Sequence, residues 1–336
     1  MANNLLFSKS SGAANDYWNE WADMLQMKMK DTDNEKSNDD ALVSALFNVK
    51  KSKRFGEKIA GFSTFGNFEA VDEGAAAPAD TFGETEPKLI THSEFKKEFE
   101  VTKTMKEDLQ IDVAAMRAAA FVRAYKRSRA AFASAAMTSA ATTFDYGKKK
   151  GLDSTTADGL ALFASAHTGN TGVATQSNLY TNAFGDDDAM LNRLANIGFN
   201  FKNASGNVMG YTFDTLIVPG NAYRLITLGK KIINSDQQVG SDFNDVNVNK
   251  GMWKLVVNHH WQVAEGDEPF IIMSSQANKD LMGNMFYDRT ALEIEQDVDV
   301  HTHNLISSGR CRFSAGFGDW RHIIMGGAAT GTTLTV

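Results

Sequence analysis

From Glu293 to His303 every second residue is ionisable: Glu293, Glu295, Asp297, Asp299, His301 and His303. Successive side chains of an extended strand alternate between its faces, so all six would project to one side. Such a row could hold a cation, or change its charge with pH through the two histidines. The plainer expectation is a solvated strand face or one that meets a basic surface on a neighbour. His259 and His260 would point to opposite faces of a strand, which makes a poor chelate, and no metal is assigned to them.

Two basic groups could touch phosphates as point charges: Lys50, Lys51, Lys53 and Arg54, and the series Arg117, Arg123, Lys126, Arg127 and Arg129. For the second series the favoured reading is pairing with acidic segments of an adjacent subunit. A net charge of −7 gives no long-range attraction to nucleic acid. Signatures of phosphate loops, nucleophile elbows, zinc-protease helices and dinucleotide folds do not occur, so no catalytic residue and no cofactor is expected. The single cysteine, Cys311, excludes an intrachain disulfide framework and a four-thiolate metal site. No run of about 18 apolar residues spans a bilayer, and no membrane partner is expected.

The elements that would position these residues follow from patterning. Residues 1–54 read as an arm: Trp18, Trp21, Leu25 and Met29 fall near helical spacing and form an apolar face that must bury against something. The acidic run Asp31 to Asp40 reads as a solvated linker. From Ile59 to Lys103 the pattern is that of a long hairpin, with Phe62, Phe65, Phe68 and Val71 on the outward limb and Phe95, Phe99 and Val101 on the return. The tip carries Asp72, Glu73, Asp80, Glu84 and Glu86 against Lys88 alone, and structureless loops this long usually have a job.

Met105 to Tyr146 contains 42 residues without Gly or Pro and 13 Ala, and reads as one long helix of about 35 residues, on the order of 50 Å. Its apolar residues do not keep one face. Leu109, Val113 and Met116 point one way, whereas Phe121, Tyr125 and Phe132 lie more than a quarter turn away, so it packs different partners along its length. Beyond a Gly/Thr/Ser-rich stretch, helices are expected over 186–201 and 221–233. Strands are expected over 215–218, 253–257, 261–263, 270–273, 292–300, 311–317 and 322–325, with Trp320 as a core or interface anchor. The fold class is α+β.

In this order the parts resemble the major capsid proteins of tailed bacteriophages. Three stretches carry the resemblance: Thr91-His92-Ser93-Glu94-Phe95 through Phe99 to Asp108; Asp158 to Phe163 with Ala166-His167-Thr168-Gly169 and Ser177-Asn178-Leu179; and Leu216-Ile217-Val218-Pro219 with Trp253 to Trp261. The resemblance implies an N-terminal arm (1–54), an extended hairpin loop (55–104), a peripheral domain with a spine helix (105–185 and 286–310) and an axial domain (186–285 and 311–336). It implies a structural protein that forms hexamers and pentamers of an icosahedral shell around double-stranded DNA, without sequence-specific binding, in a virion assembled in the host cytoplasm.

Inter-subunit contacts are then expected at Trp18, Trp21, Asp72, Glu73, Glu84, Glu86, Lys88, Arg123 and Arg127. A separate scaffolding protein and a portal are the implied partners, with a decoration protein as a further one, and no covalent crosslink is assigned to Lys88. The alternative is the shell protein of a bacterial encapsulin-type nanocompartment, which is similar in fold and packages enzymes.

Overall fold

The computed structural model describes residues 6–9, 16–59, 70–74, 76, 88–167, 174–203, 205–240 and 245–334. Along the chain run β1 (Leu6–Lys9), α1 (Asp16–Asn34), α2 (Asn38–Leu46), β2 (Asn48–Lys51), β3 (Gly56–Ile59), β4 (Lys88–Thr91), β5 (Ser93–Val101), α3 (Lys103–Glu107) and α4 (Ile111–Thr138). There follow β6 (Thr143–Tyr146), β7 (Lys149–Asp153), α5 (Ala189–Phe199), β8 (Thr215–Pro219), α6 (Tyr223–Asn234), β9 (Lys254–Asn258), β10 (Phe270–Met273), α7 (Ser275–Asp280), β11 (Asn284–Val298), β12 (Leu305–Phe317) and β13 (Ile323–Gly326). The mixture of helix and sheet agrees with the α+β expectation. Two compact units emerge: residues 1–57, 90–133 and 286–315, and residues 58–89, 134–285 and 316–336. Residues 134–185, grouped by sequence with the spine helix, thus fall in the second unit.

The first unit is built on a sheet ordered β1-β11-β12-β5, with β2 also paired to β11. Strand β5 runs antiparallel to β12, with Val101 opposite Leu305 and Ser93 opposite Phe313. Its alternation holds: Glu94, Lys96, Glu98 and Glu100 are exposed, while Phe95 and Phe99 are partly covered. Phe95 stacks on Phe313 at 4.3 Å, and Phe132 of α4 meets both rings edge-on, at 5.6 and 5.2 Å. Offset-stacked and edge-to-face pairs add to the burial of large rings. Gly309 in β12 has a local reason, since a Cβ there would lie 2.5 Å from the ring of Phe121 on α4.

Most of the limb expected to pair with β5 lies outside the described residues. Among the described residues, β4 pairs with the short β3, and β5 joins the main sheet. Phe62, Phe65 and Phe68 lie outside the described residues, and Val71 is exposed.

The long helix is shorter than its composition suggests, because α3 ends in a reversal. Gln110 N–H donates to Met105 O and Leu109 N–H to Lys106 O, with Leu109 at φ 53°. This is the Schellman arrangement, in which the left-handed position usually belongs to glycine. At the other end, Thr138 and Ser139 hydroxyls bond to Ser134 O and Thr143 O, local bonds that compete with helical ones. What remains is the 28-residue α4.

In the second unit a four-stranded sheet is ordered β13-β10-β8-β9. The β8–β9 pair is parallel and the others antiparallel. All residues of β8, β10 and β13 are buried, as their unbroken apolar runs require of strands covered on both faces. Leu191 and Leu194 of α5, and Leu225, Leu228 and Ile232 of α6, fill one core with Leu216, Val218, Phe270 and Ile272. The expected strand at 261–263 does not form, and α7 was not expected.

Candidate functional site

The acidic row divides at a turn. Strand β11 ends at Val298, so only Glu293, Glu295 and Asp297 belong to it. Asp299 instead caps the following turn, accepting from His301 N–H at 3.0 Å and from the Thr302 hydroxyl at 2.7 Å, with His303 at φ 59°. These hydrogen bonds, foremost the one from His301, hold the Asp299 carboxyl below its usual range. Glu293 lies 3.6 Å from Arg310 of β12, which also pairs with Glu94 of β5. The acidic strand face thus meets a basic side chain of its own sheet. His259 and His260 correct their expectation: they sit in the turn after β9, not in a strand, and their rings lie 4.3 Å apart.

The basic series on α4 splits by burial. Lys126 and Arg129 are buried, while Arg123 and Arg127 are exposed. The Lys126 ammonium donates to Thr32 O, Asp33 O and Glu35 O, at 3.2, 2.7 and 2.8 Å. These carbonyls belong to the C-terminal turn of α1, where helices leave their last acceptors unpaired and a cation is favoured. Arg129 binds Asp288 through two nitrogens and reaches Asp40 at 3.3 Å. The run Asp31 to Asp40 is therefore not a solvated linker. It ends α1 and begins α2, with Ser37 capping α2 and Thr32 and Asp33 buried.

Trp18 and Trp21 also depart from expectation. Their rings meet edge-on at 6.4 Å, and both are buried within their own chain. Lys106 Nζ stands 4.9 Å over Trp18. The apolar face of the arm is consumed inside the subunit, which leaves these two side chains no surface to offer another copy. Arg123 lies 3.5 Å from Glu35, with both side chains more than half exposed, a surface pair of small energy.

Of the residues expected at a hairpin tip, Asp72 and Glu73 are exposed, and Glu84 and Glu86 lie outside the described residues. Lys88 is turned inward. Its ammonium sits 3.1 Å from Asp153 and donates to the carbonyl and hydroxyl of Thr155. Burial pushes its pKa down, against the pull of Asp153. It belongs to a latch between β4 and the end of β7, not to an exposed tip.

The middle stretch of the resemblance acquires a structural meaning. His167, fully buried, donates from Nδ1 to Asp158 Oδ2 at 2.7 Å, and its Nε2 lies 3.1 Å from Asn178 Oδ1. The orientation of Asn178 is set by its other partners. Its Nδ2 faces Leu162 O, Trp320 O and Ile323 O, and its Oδ1 accepts from Ala164 N–H. His167 therefore faces an oxygen at each ring nitrogen. Its ring stacks on Trp320 at 4.2 Å with 6° between planes. Burial would raise the Asp158 carboxyl, but hydrogen bonds from His167, Thr156 and Leu160 outweigh it and hold the group below its usual range.

A Ser–His pair exists in the first unit, with Ser52 Oγ 3.1 Å from His92 Nε2. Ser52 donates its proton to Glu57 at 2.6 Å, so His92 donates to Ser52 and accepts from Ser314. A buried serine whose proton is turned away from the imidazole is not the arrangement of an activated nucleophile. Cys311 is buried, and burial pushes its thiol up to about 12. A cleft of about 460 Å³ beside α6 contains Arg224, which Glu268 and Asp186 already pair. No helix among the described residues is long and apolar enough to cross a membrane.

What these residues do is hold segments together: an arm onto α4, a loop onto Trp320, a limb onto β7. These are contacts within one chain, and they serve the fold. The profile of the phage capsid protein family matches residues 85–326, and the chain belongs to that family. Its fold is similar to the capsid of an empty GTA particle (12% identity, TM-score 0.53, 87% of this chain and 91% of that one). It is also similar to the capsid of Myoviridae phage XM1 (14%, 0.52, 86% and 91%) and to a chain of Mycobacterium phage Patience (11%, 0.54, 98% and 94%). No curated protein sequence matches it. The chain is a major capsid shell protein, and the family match favours the phage reading over the nanocompartment alternative.

Proposed function

We propose that this chain forms the hexamers and pentamers of an icosahedral head that encloses double-stranded DNA and is assembled in the host cytoplasm with a separate scaffolding protein and a portal. The observation that carries this reading is the family match across residues 85–326. It is supported by exposed apolar side chains on the first turns of α4 and on the loop after α6, a surface that association would cover. The net charge of −7 fits enclosure of DNA without sequence-specific binding.

Within this reading the division into arm, extended hairpin, peripheral domain and axial domain is retained as a proposal. The exposed Arg127 on α4, and Arg123 in exchange for its surface pair with Glu35, are cations for an acidic hairpin tip, Asp72, Glu73, Glu84 and Glu86, from an adjacent copy. Negative-stain microscopy of the purified protein, alone and co-expressed with its scaffold, tests the proposal. Closed shells or hexamer sheets are expected, and a stable monomer under both conditions would refute it. Uniform shells from the chain alone would remove the scaffold from the account.

A further inference from the structure

Among the described residues, large exposed apolar side chains fall into two sequence groups, while others, such as Phe55, Tyr223 and Val300, stand singly. The first group surrounds the start of α4: Leu109 (74% exposed), Ile111, Val113 and Met116 (71%). Exposed Asp108 and Asp112 border it, with Glu107, which pairs with Lys103, and with Arg117, which bonds to Glu100 O. The second follows α6: Val246 (78%), Val248 (68%) and Met252 (64%), bordered by exposed Lys254, by Lys250, which pairs with Asp236, and by exposed Asp245.

Both groups are held outward by specific bonds. In the second, alternation is inverted: Asn247 and Asn249 point inward and the valines outward. Asn247 Nδ2 donates to Ile232 O and Ser235 O, at 2.6 and 2.9 Å. Asn249 donates to Asp188 Oδ2 at 2.7 Å and accepts from Trp253 Nε1 at 3.0 Å. A subunit that functioned alone would have placed the valines inside and the amides in water. In the first, the Schellman bonds place a non-glycine residue in left-handed backbone and leave its side chain in solvent. A strained conformation that exposes an apolar side chain is expected where something else covers it.

We propose that the two groups are the halves of one contact between copies of this chain: residues 109–116 of one copy pack on residues 246–252 of the next. Asp108 and Asp112 of the first face Lys250 and Lys254 of the second. The inference rests on the assembly reading above and names the surface that reading leaves unspecified. The occupant is a second copy because Asp108 and Asp112 beside one group are opposite in charge to Lys250 and Lys254 beside the other, and both groups are present on every chain. A contact between two different patches is heterologous, and such contacts close into rings when the rotation permits. The apolar centre excludes water while the charged borders set register and partner choice.

Two experiments test it on the full chain. In the double variant Met116→Cys with Val248→Cys, mild oxidation of assembled particles should yield ladders of disulfide-linked chains, and either single variant should not. Cys311 is buried and its thiol is raised, so it does not compete. Second, Asp108→Lys with Asp112→Lys, and separately Lys250→Glu with Lys254→Glu, should each lower shell yield roughly tenfold through like-charge juxtaposition. The fourfold variant should recover most of that yield. Thermal unfolding of each variant's unassembled subunit shows whether folding is intact, and the cysteine pair decides if a charge variant fails to fold. Wild-type shells without ladders, or a fourfold variant no better than its parents, would overturn the contact, including the case in which a scaffold occupies one face. A wild type that never assembles would instead overturn the assembly reading, and the contact with it.

Discussion

Asp158 accepts a hydrogen bond from His167 at 2.7 Å across nine positions of sequence, and the same imidazole lies 3.1 Å from Asn178 Oδ1. Asp158 is thus the charged acceptor that orients this ring in a fully buried site, and the hydrogen bonds it receives hold its carboxyl below the usual range. Replacing it with Asn would remove the charged acceptor from this buried hydrogen bond, at about 2 kcal/mol. The Asp158→Asn subunit should melt several degrees lower. Loosening of the loop should appear as faster amide exchange at Ala164 and His167. The wild-type contribution also has a defined sign with pH. The carboxyl is held low in the folded state, so its stabilisation is complete above the ordinary carboxylate range and is lost as pH falls through the lowered value.

His322 predicts a separate acid response at higher pH. Its Nδ1 donates to Asp319 O at 2.8 Å, its Nε2 lies 2.8 Å from Asn284 Oδ1, and full burial pushes its pKa down to about 4 from 6.5. Between these values the unfolded chain takes up a proton that the folded chain refuses, so stability falls with falling pH, by up to roughly 3 kcal/mol. Urea midpoints at pH 7 and pH 4.5 should differ strongly for the wild type. They should differ less for His322→Gln, even though that variant is weaker at both. An unchanged pH slope would count against the assignment.

Asp33 carries both carboxylate oxygens buried without a hydrogen-bond partner, and burial raises its pKa against the pull of Lys126. A group whose folded-state pKa is raised opposes folding once it is ionised. Asp33→Asn should therefore raise the melting temperature at pH 7, by an amount equivalent to about 1 kcal/mol. The gain should shrink as pH is lowered toward the carboxylate range.

Lys126 should behave in the opposite way. Lys126→Met removes the donor to three carbonyls at the end of α1 and leaves them buried, at about 2 kcal/mol or more. Loss should be local as well as global, with early proteolysis near residues 34–38 before the subunit unfolds.

These buried charges also show where sequence reading stops. Strands β8, β10 and β13 and the helix α6 could be read directly, because unbroken apolar runs and a 3.6-residue stripe each have one solution. Lys126 and Arg129 could not be separated from Arg123 and Arg127, since what buries them is Asp40 and Asp288, distant in sequence and arranged only by the fold. The same holds for Trp18 and Trp21, whose apolar face was legible but whose partner was not. Asp158, His167 and Asn178 were visible as a string of residue types. Trp320, which fixes their geometry, lies more than a hundred residues later.

Leu109 gives the sharpest case, because the break in the long helix leaves no mark in composition. Left-handed backbone costs a residue with a Cβ about 1 kcal/mol relative to glycine, which adopts it freely. At φ 53° Leu109 has that cost and no burial to offset it, being 74% exposed. Leu109→Gly should therefore stabilise the isolated subunit by up to about 1 kcal/mol, less the extra entropy glycine brings to the unfolded chain. If residues 109–116 pack on a neighbouring copy, the same substitution should lower shell yield. Opposite signs in thermal unfolding of the subunit and in particle yield would tie the strain to assembly. Stabilisation in both measurements would make Leu109 a tolerated accident of the turn.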